Sequence, residues 1–354
     1  MVDLKQYVCS VPFHALEIME NKNYMCCASW LLKELPNEVP IKDLWNSDEA
    51  IEIRKSVMDG SYRYCDKQQC PFLSKLISLN TTIGGPIEHI SKLDDTIKNA
   101  YDTQNGVIER GPTIIQMSFD RSCNYKCPSC RVDMIVANSD KIKSVNLTIE
   151  EIEESYSDSI ETIYCSGTAD PFASVSYRNY LRNFNPKKYP NLKSIHLHTN
   201  ASLWNSEMWD SMKMIHPYVK SCEISIDAGK QDTYENVTRL GGNWNTLISN
   251  LKFIATIESI QSVKCSFVVQ QTNYTEMSEF FRLIHSIFKE KTNVFFGKIN
   301  NWGTFTTEMF EFLQIWSPTH PEHQMFLDEF KKVALNPYVF HNMYELMDTK
   351  KSLI

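Results

Sequence analysis

The sequence has none of the features that mark a nucleic-acid-binding, membrane-spanning or secreted protein. Its 36 Lys and Arg residues are outnumbered by 43 Asp and Glu, and the formal net charge of −7 argues against a nucleic-acid-binding surface. No apolar run approaches the roughly 20 residues that span a bilayer, so no membrane association is expected. The first residues carry no apolar signal core, and repeats and low-complexity tracts are absent. We therefore expect a cytoplasmic protein.

Length and composition are those of a globular protein with one appended module, and the unusual feature is the number of cysteines. The chain has 354 residues, of which 42% are hydrophobic and 22% charged, an ordinary balance for a folded core. It contains 11 cysteines. Because cysteines in a reducing compartment bind clusters or metals more often than they form disulfides, they are the first candidates for a functional site.

Three of the cysteines form a compact motif. Cys123, Cys127 and Cys130 have the spacing C-x3-C-x2-C and directly follow an apolar, β-branched stretch at 112–119 that predicts a buried strand. Three thiolates on one loop can hold three corners of a cubane [4Fe–4S] cluster, which leaves the fourth iron open to a small molecule. The residues alone also allow a zinc knuckle or three unrelated buried cysteines.

The middle of the chain alternates strand and helix patterns. This alternation is expected of parallel β/α units, whose active sites lie at the carboxyl ends of the strands. The six predicted strands are 113–119, 162–165, 194–198, 221–226, 264–270 and 294–298.

The cysteine loop and the turns after the later strands resemble those of the radical S-adenosylmethionine (SAM) enzymes. The matching motifs are Ser-Gly-Thr-Ala-Asp-Pro at 166–171, Thr-Asn at 199–200, Ser-Ile-Asp at 225–227 and Tyr-Glu…Arg at 234–239. The resemblance implies an α/β fold, a partial (β/α)6 TIM-like barrel at 101–305. It also implies that a [4Fe–4S] cluster on the three cysteines cleaves SAM reductively to a 5′-deoxyadenosyl radical.

The resemblance further assigns SAM-binding roles at the strand ends. The turn with Gly167 would grip the amino group of SAM, although Asp170 replaces the more usual glutamate. Arg239 would pair with the SAM carboxylate, since its planar fork binds a carboxylate bidentately. Ser129 stands where the family often has an aromatic residue against the adenine. The full set is Tyr125, Ser129, Gly167, Thr168, Asp170, Thr199, Asn200, Ser225, Asp227, Arg239, Gln270 and Asn273.

Other polar residues near the strand ends carry weaker signals. His196 and His198 alternate with Leu197 and so point to one side of their strand, where we expect satisfied core histidines. Lys298, Asn301 and Trp302 follow the sixth strand and are candidates for contact with substrate, with a buried structural role equally open for the tryptophan. His320 and His323 have metal-ligand spacing but no evident third ligand, so a packing role is expected.

The first 100 residues contain a second group of cysteines. Turn residues at 20–23 predict a hairpin, and Asn46 or Ser47 is expected to cap a helix that ends at Asp59-Gly60. This order resembles the SPASM or twitch module, although that module usually follows the radical SAM domain. The resemblance implies a second, auxiliary [4Fe–4S] cluster. Its expected ligands are Cys9, Cys26, Cys65 and Cys70, with Cys27 competing for the second position; the same thiolates could instead bind zinc.

These patterns together predict three parts: the module and connector at 1–100, the barrel at 101–305 and a helical closing segment at 306–354. The implied function is hydrogen abstraction from a peptide or small-molecule substrate, with an electron donor such as flavodoxin or ferredoxin as partner. The alternative function is a zinc-stabilised, non-catalytic binding protein with a degenerate barrel.

Overall fold

A computed structural model describes residues 2–347 as a mixed α/β fold, which confirms the predicted class. The last seven residues of the predicted closing segment, 348–354, lie outside the described part of the chain. The strands are β1 (Tyr7–Cys9), β2 (Ala15–Met19), β3 (Asn23–Tyr24), β4 (Ile87–His89), β5 (Ile114–Ser118), β6 (Thr162–Cys165), β7 (Ser194–Thr199), β8 (Val219–Ser225), β9 (Ser262–Val269), β10 (Thr292–Lys298) and β11 (Val339–His341).

The fold is built on a mostly parallel sheet of nine strands in the order β11-β10-β9-β8-β7-β6-β5-β2-β3. The six predicted strands are present as β5 to β10, and each is hydrogen-bonded in parallel to the next along the chain. Parallel neighbours require crossover connections, and helices supply most of them. The carboxyl ends of all six strands therefore lie along one edge.

Short helices connect the strands. Side chains of Ser47, Asn138 and Ser174 accept hydrogen bonds from backbone amides of the first turn of α2, α5 and α6, so Ser47 is the cap of the two predicted candidates. No described helix is both long and apolar enough to cross a membrane. The helices are α1 (Ile41–Leu44), α2 (Asp48–Met58), α3 (Pro71–Leu79), α4 (Asp95–Thr103), α5 (Ser139–Tyr156), α6 (Val175–Arg182), α7 (Ser206–Asp210), α8 (Gln231–Thr233), α9 (Trp244–Ala255), α10 (Met277–Phe288), α11 (Thr307–Leu313) and α12 (His323–Phe330).

Strands from outside the predicted barrel region extend the sheet at both ends. The predicted amino-terminal hairpin is present as β2 and β3, and β2 pairs in parallel with β5. At the other end β11 pairs in parallel with β10, although its segment was predicted to be helical. Within the predicted connector, β4 pairs antiparallel with β1 before α4 starts. Polarity alone did not reveal these short edge strands.

The two faces of the sheet differ in character. In one register row Leu16, Ile115, Ile163 and Ile195 are all fully buried and belong to the hydrophobic core. The next row carries Glu17, Gln116, Tyr164 and His196, and a further row joins His198, Glu223 and Lys264. Because strand side chains alternate, one face packs as core and the other is lined with polar groups.

The polar face is concave. Glu17 on β2 and Lys264 on β9 are five strand spacings apart, which is about 24 Å in a flat sheet. Both charges nevertheless shift the pKa of the same thiol, Cys27, Glu17 raising it and Lys264 lowering it. We infer that the sheet curves far enough to bring these two strands near the same thiol.

Arg54 on α2 fastens the amino-terminal segments together. Its guanidinium is fully buried, stacks on the ring of Trp45 at 4.3 Å, and donates to the carbonyls of Pro12 (2.9 Å), Gly106 (3.0 Å) and Trp45 (2.7 Å). A further hydrogen bond joins it to the Asn46 side chain at 2.9 Å. One side chain thus satisfies carbonyls from three separate stretches of chain.

We predict that Arg54→Ala lowers the free energy of unfolding by about 3 kcal/mol or more, because it leaves three buried carbonyls without a donor. Urea denaturation followed by circular dichroism measures the change. Lys55→Ala, at the exposed neighbouring position on the same helix, is the control and should stay within about 0.5 kcal/mol of the parent. Equal stability of the two variants would contradict this role for Arg54.

Candidate functional site

The C-x3-C-x2-C motif forms a loop at the carboxyl end of β5. Asp120 shapes its start by accepting from the Ser122 amide and hydroxyl, both at 2.8 Å. The Cys123 amide donates to the Ile135 carbonyl at 2.9 Å, and the Lys126 amide donates to the Leu240 carbonyl at 3.1 Å. The loop is therefore tied both to its own exit and to the turn after α8.

Each of the three sulfurs has its own hydrogen-bond donor. Asn200 Nδ2 lies 3.7 Å from Cys123 Sγ. Arg239 Nη1 lies 3.5 Å from Cys127 Sγ, and Arg131 Nη2 lies 3.4 Å from Cys130 Sγ. Burial raises the pKa of Cys123 to about 11 and also raises that of Cys127, while Arg131 and Arg239 oppose the shifts. Donors of this kind stabilise sulfur in its thiolate form, the form that binds metal.

Arg239 is held in place by a buried ion pair. Its Nη2 lies 2.6 Å from Asp227 Oδ2, with both side chains almost fully buried. Asp227 also accepts from the Val268 amide at 2.7 Å and has a left-handed backbone (φ 60°), which costs a non-glycine residue about 1–2 kcal/mol. A π-helical turn, Tyr234–Thr238, leads into Arg239. The structure thus holds a strained residue at the strand end to aim this arginine at the thiol loop.

The turn after β6 meets the thiol loop from the other side. Thr168 donates its hydroxyl to the Ser118 carbonyl at 2.6 Å, and its own carbonyl accepts from Arg131 at 2.8 Å. A Cβ on Gly167 would lie 2.7 Å from Gln116 Nε2 and from Ser118 Oγ, so a larger residue would have to displace these side chains. Asp170 accepts from the Thr199 hydroxyl at 2.6 Å and the Asn200 amide at 2.9 Å, which joins this turn to the next strand end.

The remaining predicted SAM-binding residues lie around the same edge. Asn273 Nδ2 donates to the carbonyls of Asp227 (3.0 Å) and Val268 (2.9 Å), so this amide fastens neighbouring strand ends to each other. Gln270 is buried beside it. The Tyr125 hydroxyl lies 3.2 Å from that of Tyr234, and Ser129 is partly exposed on the loop. Their contacts with SAM remain predictions.

His196 and His198 both project onto the polar face and are satisfied there. His196 Nδ1 lies 2.7 Å from Ser221 Oγ, and its ring packs at a tilt against Tyr164, with the ring centroids 4.6 Å apart. His198 Nε2 lies 3.0 Å from Ser225 Oγ. Burial lowers the pKa of His196 to about 3 and also lowers the pKa of His198. Both imidazoles are therefore neutral at neutral pH.

Two charged groups on the polar face form a pair. Lys264 Nζ lies 2.5 Å from Glu223 Oε2. Burial would raise the pKa of Glu223, but Lys264 and the neighbouring histidines bring it down to about 2. The Lys264 side chain nevertheless keeps 40% of its surface accessible. This face therefore borders open space rather than packed core.

Glu17 is the functional candidate that sequence reasoning missed. It lies in the apolar strand Ala-Leu-Glu-Ile-Met, and a lone carboxylate between buried apolar residues was the available signal. Its Oε1 accepts from Gln116 Nε2 at 2.7 Å and Ser118 Oγ at 2.9 Å. Oε2 is buried and has no hydrogen-bond partner of normal geometry among residues 2–347. Burial raises the pKa of Glu17 to about 7, although Ser118 and the Ala28 amide favour the charged form.

The amino-terminal cysteines separate into a group and an outlier. Burial raises the pKa of Cys26, and the charges of Cys9, Cys27, Cys70 and Cys65 raise it further. Burial also raises the pKa of Cys27 to about 12, with Glu17 adding to the shift and Ser29 and Lys264 opposing it. Within residues 2–347 no three or more His, Cys, Asp or Glu side chains are disposed to hold a single metal ion.

A cavity of about 730 Å³ opens between the amino-terminal cysteine stretch and the sixth predicted strand end. Ala28, Ser29 and Gln69 line one side, and the predicted substrate candidates Lys298, Asn301 and Trp302 are also among its lining residues. Lys298 is paired with Glu345, while Trp302 is 55% exposed. His320 and His323 contact the backbone carbonyls of Phe312 and Ile315, as expected of packing residues.

No family model and no curated protein sequence matches the chain. Among solved structures, similarity is found to TYW1 with a lysine–pyruvate adduct bound (14% identity, TM-score 0.33) and to BtrN in complex with AdoMet and 2-DOIA (9%, 0.23). Native anSMEcpe with bound AdoMet and the Cp18Cys peptide gives 16% identity and a TM-score of 0.41. The region similar to TYW1 covers 48% of this chain and 60% of TYW1. For BtrN the shares are 46% of this chain and 67% of BtrN. For anSMEcpe they are 62% of this chain and 58% of anSMEcpe. The chain therefore spans about three fifths of TYW1 and of anSMEcpe, and the likeness is distant.

No Lys, Arg or His side chain among the described residues pairs with the buried Glu17 carboxylate. We therefore expect its contribution to the free energy of unfolding to be lost as the pH rises, the opposite of what a paired carboxylate does. Its pKa rises from 4.5 to about 7 on folding, so the folded state keeps the proton longer than the unfolded state. Glu17 therefore adds stability below about pH 4.5 and loses that contribution as the pH rises through 7. We expect Glu17→Gln to exceed the parent by roughly 2–3 kcal/mol at pH 8 and to approach it near pH 5.

Urea denaturation of both proteins at the two pH values measures this gap. Glu20→Gln is the matched control, since Glu20 is exposed near the tip of the same hairpin and should show no such gap. A Glu17→Gln variant that is less stable than the parent at pH 8 would show that the carboxylate has a partner in solution.

Proposed function

We propose that the protein is a radical SAM enzyme that cleaves SAM reductively and abstracts hydrogen from a peptide or small-molecule substrate. The observation that carries this proposal is the loop of Cys123, Cys127 and Cys130, with one N–H donor directed at each sulfur. Three thiols on one loop suit a [4Fe–4S] cluster with one open iron. When bound, that cluster would supply one electron to SAM, which separates into methionine and a 5′-deoxyadenosyl radical.

The chain's own residues hold and tune the proposed site. Arg131 and Arg239 place two positive charges against the sulfurs, and N–H···S contacts of this kind raise the reduction potential of a cluster. Asp227 pairs with Arg239, which neutralises that positive charge and fixes the orientation of the guanidinium group. Asn200 contacts both Cys123 and Asn124, so the Thr-Asn pair at the end of β7 fixes the position of the cysteine loop relative to that strand.

SAM itself would lie across the carboxyl ends of the strands. The close approach of the backbone at Gly167 suits the predicted contact with the SAM amino group. Arg239, already paired with Asp227, keeps its planar guanidinium near the thiol loop, where the SAM carboxylate is expected. The concave polar face, next to this edge, is then the space for the substrate.

An auxiliary [4Fe–4S] cluster on Cys9, Cys26, Cys65 and Cys70 completes the proposal. These four thiols are electrostatic neighbours, and the Cys70 amide and the Cys65 amide are fixed by hydrogen bonds to Asp66 and Tyr62. The stretch that carries Cys26 also borders the 730 Å³ cavity through Ala28 and Ser29. When bound, that cluster would supply a redox centre near this cavity, and flavodoxin or ferredoxin is the expected external electron donor.

The zinc-stabilised, non-catalytic alternative has less support. A zinc ion gathers four ligands within about 2.3 Å of one centre, whereas a cubane binds each sulfur at a different corner. In the described range 2–347 no set of three or more His, Cys, Asp or Glu side chains has the compact arrangement of a single-ion site.

We predict that the Cys123/Cys127/Cys130 triple alanine variant loses both SAM cleavage and about four irons per chain after anaerobic reconstitution. Iron and sulfide counts measure the loading, and chromatography of methionine and 5′-deoxyadenosine measures cleavage. Cys222→Ala, at a buried core cysteine with no predicted ligand role, should keep both. Retained cleavage in the triple variant would refute the proposed function.

We also predict that Cys26 and Cys27 differ in iron binding. Cys26→Ala should lose about four irons because its thiol lies with those of Cys9, Cys65 and Cys70, whereas Cys27→Ala should keep the full count. The cysteines are sequence neighbours of similar burial, so each variant controls for the other. Equal loss from both, or loss from Cys27→Ala alone, would contradict this assignment.

A further inference from the structure

Three arginines are buried among residues 2–347, and they are stabilised in different ways. Arg239 has the carboxylate of Asp227, and Arg54 has four oxygen acceptors and the face of an indole ring. Arg131 is 7% exposed and has, in the described chain, neither a carboxylate partner nor an aromatic ring against its guanidinium. Because a buried charge is costly unless it is paired, Arg131 requires a counter-charge of another kind.

The guanidinium of Arg131 bridges three segments of the site. Its Nη1 donates to the Arg121 carbonyl at 2.7 Å, where the cysteine loop begins. Its Nη2 donates to the Thr168 carbonyl at 2.8 Å and lies 3.4 Å from Cys130 Sγ. Thr168 belongs to the turn after β6, so one side chain joins the beginning and the end of the cysteine loop to a neighbouring strand end. The planar fork of an arginine suits this arrangement, because its donors diverge in fixed directions.

The sulfur of Cys130 is the acceptor at which the counter-charge can be supplied. A neutral thiol is a weak acceptor, whereas a thiolate carries the negative charge that the guanidinium lacks. The two buried carboxylates of the loop and the turn, Asp120 and Asp170, accept from hydroxyl and amide groups instead. Thiolates that bind a [4Fe–4S] cluster keep negative charge on their sulfurs, so the proposed cluster would be the partner of Arg131.

The contact with Thr168 fixes part of the turn to which the proposed function assigns the amino group of SAM. The Thr168 hydroxyl donates to the carbonyls of Ser118 (2.6 Å) and Asp120 (2.9 Å), which holds this side chain against the end of β5. Its carbonyl is held separately, by Arg131. Fixing that carbonyl orients the peptide group that follows Thr168, and Gly167 precedes it directly. The position of the SAM turn therefore depends on where the guanidinium lies.

We propose that Arg131 is a positioning residue that joins the SAM-binding turn to the negatively charged cysteine loop. This inference rests on the proposed function, since it takes the loop to hold a cluster and the turn to bind SAM. Negative charge on Cys130 holds the guanidinium, and the guanidinium in turn holds the Thr168 carbonyl. The affinity for SAM and the reduction potential of the cluster should therefore both depend on Arg131.

Two variants separate the charge of Arg131 from its shape. Arg131→Met removes both, and Arg131→Lys keeps the charge without the planar fork. Each full-length protein is reconstituted anaerobically. Equilibrium dialysis then measures the dissociation constant of SAM, and redox titration followed by electron paramagnetic resonance measures the midpoint potential of the cluster. Arg121→Met is the matched control, because it removes an exposed positive charge at the start of the same loop and leaves the backbone carbonyl in place.

We expect Arg131→Met to bind SAM about tenfold more weakly than the parent, because the turn loses a charge-assisted hydrogen bond. Its midpoint potential should fall, since a positive charge beside a cluster favours the reduced form; about 59 mV corresponds to a tenfold change in the one-electron equilibrium. Arg131→Lys should recover the potential more fully than the affinity for SAM. Arg121→Met should match the parent in both measurements.

Two results would overturn the proposal. One is an unchanged affinity for SAM in Arg131→Met, and the other is an equal fall in potential in Arg131→Met and Arg121→Met, which would leave only a long-range effect of charge. If Arg131→Met does not retain iron, Arg131→Lys decides: an affinity for SAM equal to that of the parent refutes the positioning role.

The same measurements keep this inference separate from the proposed function, because neither requires SAM cleavage. A parent protein that holds the cluster and binds SAM but never cleaves it refutes the enzyme, and the Arg131 comparison still stands. A parent that cleaves SAM, with both Arg131 variants equal to it in affinity and potential, refutes the role of Arg131 alone. A parent that takes up no iron at the three cysteines refutes both.

Discussion

Parallel pairing of β5 to β10 in chain order is the constraint on which the rest of the structure depends. It brings the carboxyl ends of all six strands to one edge, so that turns distant in sequence meet around a single loop. Asn200 and Arg239 reach the thiols of Cys123 and Cys127 from two different strand ends for this reason alone. Without that register the cysteines would still be close in sequence, but the sulfurs of Cys123 and Cys127 would lack these donors.

The curvature of the sheet has an equally direct consequence for chemistry. A flat sheet would leave its polar row exposed to bulk water, where the Glu223–Lys264 pair would contribute little. On the folded sheet the same row is a largely buried, charged surface in which His196 stays neutral and Glu223 stays ionised. Such a surface discriminates between ligands by charge, because each unmatched group carries a desolvation penalty that only the complementary ligand removes.

The sequence predicted the central strands well because their apolar, β-branched runs are bounded by turn residues, and β6 begins and ends at the predicted residues. The thiol loop was equally visible, since its spacing is local. Long-range pairing could not be predicted from the sequence, and this holds for the parallel pairing of β2 with β5 and of β11 with β10. Strands of three to five residues contain too few alternating apolar and polar residues to be recognised with their partners. Arg131 escaped notice for a related reason, since its contact with Cys130 depends on how the loop folds back toward Thr168.

Glu17 shows how a local exception becomes interpretable only in three dimensions. A carboxylate inside an apolar strand predicts either an edge position or a functional one, and the sequence alone does not distinguish them. Pairing with β5 rules out the edge position, because β2 has β5 on one side and β3 on the other. Burying this charge opposes folding, and Gln116 and Ser118 orient it without neutralising it. The cost of this position above pH 7 is therefore set by the pairing of β2 within the sheet, which buries the carboxylate, and not by the local sequence.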